Sequence, residues 1–241
     1  MLIELNRISK IYNEGRESEV RALQDISLQI DHGEFTAILG QSGSGKSTLM
    51  NILGCLDIPT YGEYWLEGEN VSNIPPRRLS AIRNRNIGFI FQGFNLIPAL
   101  TALENVELPL IYRGMSAGQR RQLSLDALEE VGLGQRTHHR PTQLSGGQQQ
   151  RVAIARAIAA RPPVIMADEP TGNLDTHAGA EVMLKLCGLN DNGATILLIT
   201  HDMQLAHVAK RIVRIQDGHM IADEIIPQEE RDRVLKEVAG Q

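Results

Sequence analysis

The nine residues from Gly40 to Thr48, GQSGSGKST, stand between the apolar run TAIL and the helix-prone stretch KSTLMNILGCL. The spacing G-x-x-x-x-G-K-[ST], placed after a strand and before a helix, prescribes a path for the chain. Glycines let the backbone wrap tightly, so successive N–H groups point at one centre. The helix that follows adds the positive end of its dipole, and the combination favours phosphate. Gly40, Ser42, Gly43, Ser44, Gly45, Lys46, Ser47 and Thr48 are therefore the candidate phosphate-binding residues. Lys46 can neutralise β- and γ-phosphates, and Ser47 can ligate Mg²⁺. A strand feeding such a turn belongs to an open α/β sheet, whose ligands bind at the carboxyl ends of the strands.

Two further apolar runs rich in branched residues, PVIMAD (163–168) and ATILLIT (194–200), read as strands buried on both faces, as in parallel sheets. Each ends in chemistry-bearing residues. Asp168 and Glu169 are adjacent at a strand mouth, so their side chains diverge. One carboxylate can serve a metal shell and the other an attacking water. We assign Asp168 to Mg²⁺ and Glu169 to the water as general base. His201 ends the second strand, where a lone histidine can make a purely structural hydrogen bond, but its place at the same sheet edge favours a γ-phosphate contact. Gln92 follows the strand IGFIF and can ligate Mg²⁺ or orient water, although an isolated glutamine is weak evidence.

A second anion-favouring turn, LSGGQ (144–148), lacks the lysine. Ser145 is a good N-cap and Gln148 completes a capping box. Gly146 and Gly147 leave the first turn bare at a cost in helix stability. A capped helix start and a phosphate contact both fit. Arg151 and Arg156 further along read as helix-surface charges or nucleotide contacts.

The remainder frames these stretches. LIELNRI and VRALQDISLQI alternate as strands around a polar loop at 13–19, and YGEYWLEGENV (61–71) reads as a hairpin. Residues 76–88 carry four arginines as an exposed helix, 94–112 is apolar and broken by Pro98 and Pro109, and 116–133 and about 146–160 read as helices. The net charge of −5 over 241 residues argues against a nucleic-acid partner. Cys55 and Cys187 form no ligand cluster and read as reduced thiols. No apolar run reaches the roughly 18–20 residues of a membrane helix, and MLIELNRISKIY lacks a signal-peptide core, so the chain is expected to be neither secreted nor membrane-spanning by itself.

In this order the stretches GQSGSGKS, Gln92, LSGGQ, VIMAD with Glu169, GNLD (172–175) and His201 resemble the ATP-binding cassette (ABC) ATPases over essentially the whole chain. The resemblance implies an α/β fold: a P-loop NTPase, RecA-like parallel-sheet core with an antiparallel β subdomain and an ABC-specific helical subdomain. It implies one domain over 1–241, with 1–92 and 161–226 as the ATP-binding core, 93–160 as the helical signature subdomain and 227–241 as a tail. The implied cofactors are ATP and Mg²⁺. Tyr12 takes the place of the family's adenine-stacking aromatic, with Tyr61 and Tyr64 as neighbouring aromatics, and Asp175 that of a dimer-interface residue. Two cassettes pair head to tail in the family, so Ser145 to Gln148 of one chain would close on the γ-phosphate held by the other.

The stretches STLMNILGCLDIPTYGEY, FNLIPALTALENVELPL and ADEPTGNLD are similar to the lipoprotein-releasing and macrolide-exporter branch. That likeness implies an ATPase at the cytoplasmic face of the inner membrane, peripheral and bound to an integral membrane permease that docks near 93–112. A periplasmic adaptor is a further partner implied by the branch. The alternative is an ABC ATPase that signals to or pulls on a membrane partner without moving a substrate. The substrate itself is not legible.

Overall fold

A computed structural model describes residues 1–238 and Gly240; Ala239 and Gln241, at the end of the expected 227–241 tail, lie outside the described residues. Alternating apolar residues build the first sheet. Ile3–Tyr12 (β1) and Val20–Ile30 (β2) pair antiparallel, with Ile3 opposite Ile30 and Tyr12 opposite Val20. Phe35–Leu39 (β3) is buried at every position and leads through the glycine-rich turn into Lys46–Leu53 (α1). Tyr61–Leu66 (β4) and Glu69–Asn70 (β5) form the expected hairpin and complete a sheet of order β2-β1-β4-β5.

The second sheet collects the runs that read as doubly buried. After Pro76–Asn86 (α2) come Ile87–Phe91 (β6), Ala102–Tyr112 (α3), Ala117–Glu130 (α4) and Gly146–Ile158 (α5). Val164–Asp168 (β7), Thr176–Asp191 (α6), Thr195–Thr200 (β8), Met203–Ala206 (α7), Arg211–Gln216 (β9), His219–Ile225 (β10) and Gln228–Val238 (α8) follow. The strand order is β10-β9-β3-β8-β7-β6, parallel except for the antiparallel β9–β10 pair. Period-two alternation divides each central strand between two cores. Ile165, Ala167, Ile196 and Leu198 face the helices α3 to α6, whereas Val164, Met166, Leu197 and Ile199 face α1 and the antiparallel sheet. A sheet covered on both faces explains why these strands are apolar throughout.

The proline-broken stretch after Gln92 holds a helix the sequence reading did not resolve. Thr101 caps α3, accepting from Glu104 N while Glu104 accepts from Thr101 N at 2.7 Å. Pro109 sits inside that helix near its end. A groove of about 1030 Å³ runs between α2 and this end of α3, floored by β6 and the end of α5. Asn95, Pro109 and Tyr112 are the only residues of 93–112 on its wall, so most of the groove comes from outside the stretch expected to form it. Gly88 brings β6 against α5: a Cβ there would stand 2.4 Å from the Ala157 carbonyl oxygen. Among the described residues no helix is long and apolar enough to cross a membrane.

Candidate active site

The glycines of the Gly40–Thr48 turn are dictated by crowding as much as by φ. A Cβ on Gly40 would stand 2.3 Å from the Ile215 carbonyl oxygen, and one on Gly45 would stand 2.6 Å from that of Ala22. Gly45 caps α1 at φ 105°, in the region that penalises any side chain. The turn is held from behind: Ser44 N donates to Gln41 O at 3.2 Å, and Gly218 N donates to Ser44 O at 2.9 Å. Gly218 lies with Asp217 in the tight β9–β10 turn, both at positive φ (78° and 50°). The Ser44 hydroxyl is buried without a hydrogen-bond partner among the described residues.

Lys46 is only 8% exposed. Its ammonium donates to the carbonyls of Gly40 at 2.5 Å and Gln41 at 2.7 Å. Burial pushes its pKa down, and the charges of Glu169 and Asp168 oppose that shift. Asp168 is pushed up, chiefly by burial and then by Glu169, with Lys46 pulling it back. These groups share one open cleft of about 920 Å³, which also takes in Ser42, Ser47, Thr48, Gln92 and His201. The expected turn, carboxylate pair, glutamine and histidine thus converge.

Glu169 leaves the end of β7 at φ 45°, a strained setting for a side chain of this size. Its carboxylate is held by one short segment. Thr200 Oγ1 donates to Oε2 at 3.2 Å, His201 N donates to Oε1 at 3.0 Å, and His201 Nδ1 lies 2.6 Å from the same oxygen. The positive φ turns the carboxylate from β7 towards the end of β8, away from the path of Asp168.

The other expected residues fall around this cleft. Gln92 packs so closely on Gly172 that a Cβ there would meet Gln92 Nε2 at 2.5 Å, and its carbonyl accepts from Asn173 Nδ2 at 2.9 Å. Tyr12 is the cross-strand partner of Val20, which lines the cleft, yet its hydroxyl turns to Asp57 at 3.3 Å and its ring lies beneath the Lys10 ammonium. It therefore stands at the rim and is not part of the lining. Ser145 to Gln148 lie outside the cleft and form the capping box read from the sequence, with Gln148 N donating to Ser145 Oγ and Ser145 N to Gln148 Oε1. Gly147 also answers to packing, since a Cβ would approach Ala178 Cβ to 3.0 Å. Asp175 caps α6 through Ala178 N at 2.8 Å. Arg151 pairs with Glu181, and Arg156 donates to the carbonyls of Phe94 and Asn95, so both have structural partners.

Arg21, Ala22, Asp217 and Gly218 line the cleft and were missed in the sequence. The Asp-Gly pair was a legible hairpin signal. Arg21 and Ala22, at the start of a strand, carried none. Burial raises the pKa of Cys55 to about 12 and that of Cys187 to about 11, which fits inert reduced thiols.

A backbone cradle too tight for a Cβ, closed by an ammonium, suits a polyphosphate. Ser47, Asp168 and Gln92 offer the hard oxygen ligands that Mg²⁺ prefers. The chain is 52% identical over 222 residues to the macrolide export ATP-binding/permease protein MacB of Hyphomonas neptunium, covering 92% of this chain but 34% of that protein. It is 54% identical over 219 residues to an uncharacterized ABC transporter ATP-binding protein of Thermotoga maritima, covering 91% of this chain and 93% of that one. The dimeric ATP-binding cassette MJ0796, solved with ADP and Pi in a post-hydrolysis state, superposes with a TM-score of 0.84 at 46% identity, covering 94% of this chain and 99% of that one. The family model described as ABC transporter matches residues 23–172, and on these grounds the chain belongs to the ABC transporter family as an ATP-binding domain.

Proposed function

We propose that the chain hydrolyses ATP as one cassette of a head-to-tail homodimer that drives a membrane permease of the lipoprotein-releasing and macrolide-exporter type. The observation that carries this reading is the convergence of Lys46, Ser47, Asp168, Glu169, Gln92 and His201 on one cleft. The loop amides and Lys46 hold the β- and γ-phosphates. Ser47, Gln92 and Asp168 would hold Mg²⁺, which when bound offsets charge on the phosphates. Glu169 takes a proton from water as the water oxygen bonds to the γ-phosphorus and the bond to the bridging oxygen of ADP breaks. Thr200 and His201 aim the carboxylate, and His201 stays within reach of the γ-phosphate. Tyr12, beside Val20 at the rim, supports the adenine end of the cleft.

Ser145 to Gln148 serve the partner's nucleotide, because in their own chain they lie outside the cleft. The groove between α2 and α3 receives a cytoplasmic helix of the permease, and 93–160 moves against the core as the helical unit. The complex sits at the cytoplasmic face of the inner membrane, with a periplasmic adaptor as a further partner. The test is Glu169→Gln on a sizing column with light scattering, with and without MgATP. A monomer-to-dimer shift with ATP supports the paired cassette. ATP binding without the shift removes the self-sufficient dimer from the proposal.

A further inference from the structure

The groove described above carries an electrostatic pattern opposite to that of the chain. Against a net charge of −5, its wall gathers Arg77, Arg83, Arg85, Arg113 and Arg156, and no carboxylate lines it. None of the five forms a salt bridge among the described residues; the polar partners of Arg83, Arg113 and Arg156 there are backbone carbonyls and one hydroxyl. Arg113 donates to the carbonyls of Asn84, Arg85 and Ala160, and Arg83 donates to Cys55 O and Ser80 Oγ. Carbonyl oxygens orient a guanidinium without neutralising it, so the five charges stay uncompensated. Arg113 and Arg156 are also partly withdrawn from water, and burial lowers the pKa of both.

The floor beneath these charges carries two aromatic rings. Phe89 and Phe91 stack with ring centroids 5.3 Å apart and planes within 4°. Tyr112, 81% exposed, stands at the end of α3 as a further aromatic edge. Stacked rings accept an apolar helix face, while fixed guanidinium groups accept carboxylates in a bidentate fork.

Resting on the reading of this groove as the permease dock, we infer that its occupant is a short amphipathic helix of the membrane partner, with aspartate or glutamate aimed at Arg77 and Arg85 and an apolar face on Phe89 and Tyr112. Arg77 and Arg85 are exposed and their side chains have no hydrogen-bonding acceptor among the described residues, so they are the free ends of the charge pattern. The acidic residue sets the partner's register, and the apolar face supplies most of the contact. Complementary charge of this kind contributes more to orientation and choice of partner than to raw affinity.

The test is a phage-displayed library of amphipathic helical peptides selected against the whole chain, with the Tyr112→Asp protein as counter-selection to isolate groove binders. Groove binders should carry aspartate or glutamate several-fold above the library. That enrichment should vanish when selection uses the Arg77→Glu/Arg85→Glu protein, provided its thermal melting matches the parent. Groove binders with no acidic enrichment would overturn the inference and leave the dock standing. An absence of groove binders would remove the dock and the inference together. Phosphatidylglycerol vesicles run in parallel: arginine-dependent binding to them, without acidic enrichment among peptides, would reassign the arginines to a lipid surface and overturn the inference.

Discussion

The imidazole Nδ1 of His201 lies 2.6 Å from Oε1 of Glu169, and the same carboxylate oxygen accepts from the backbone N–H of His201. Two donors from one residue hold one oxygen, while Thr200 holds the other. The histidine therefore fixes the direction of the carboxylate, beyond any contact of its own with phosphate. Glu169→Gln is expected to lower steady-state ATP hydrolysis by roughly 10²–10⁴-fold, the span for loss of a general base. His201→Ala should lower kcat less than Glu169→Gln does, and neither change should prevent ATP binding. Phosphate release and nucleotide affinity, measured on both variants, check the pair.

Ser145 has a structural duty that must be separated from the proposed trans contact. Ser145→Ala removes the side chain that accepts from Gln148 N and should cost about 1 kcal/mol of stability. Ser145→Arg loses the same cap and adds bulk over Gly146 and Gly147. In a Glu169→Gln background, the alanine protein should still dimerise with MgATP and the arginine protein should not. Equal loss of dimer in both would assign the effect to the cap alone.

Asp168 gives a stability prediction with a definite sign. Burial and Glu169 raise its pKa in the folded state. Between the ordinary and the raised value the folded state binds more protons, so stability falls as pH rises through that window. Above it the ionised carboxylate imposes its full cost. Without Mg²⁺ or nucleotide, Asp168→Asn should melt higher than the parent at about pH 7.5, and the gap should narrow on lowering the pH to about 4.5. Thermal melting over that range decides it. A gap that widens in acid would reverse the sign.

Gly45→Ala should destabilise without any ligand present. It places a Cβ at φ 105° and 2.6 Å from the Ala22 carbonyl oxygen. Strain of this kind costs about 1–3 kcal/mol. The urea midpoint should fall with an unchanged slope.

Local conformation was legible where residue type and spacing carried it. The phosphate turn, the strand-end carboxylates and the Ser145 capping box all stand as the residues suggested. Five elements were passed over: α3, α6, α7, β9 and β10. α6 had its own signal in Asp175, an N-cap before an apolar period, but GNLD drew attention to an interface role instead. β9 and β10 flank an Asp-Gly pair, yet arginines and acids along both strands mask the alternation. Arg21 and Ala22 reach the cleft only because the antiparallel sheet folds across the phosphate turn. Contacts at such sequence distance leave no periodic trace. Tyr12 shows the limit from the other side: its strand position was readable, but the turn of its hydroxyl towards Asp57 depends on a neighbour 45 residues along the chain.

α5 runs unbroken for 13 residues from Gly146 to Ile158, a rod of about 20 Å. Its first turn carries the bare glycines, and its last lies against the arginine-lined groove. Gly88 presses on the rod at Ala157, near the groove end. The helix thus joins the groove to the glycine face as one continuous rod, with β6 packed against its groove end. A methyl group added at Gly88 would therefore press on the groove end of the rod, about 16 Å along the axis from the bare glycine at Gly146.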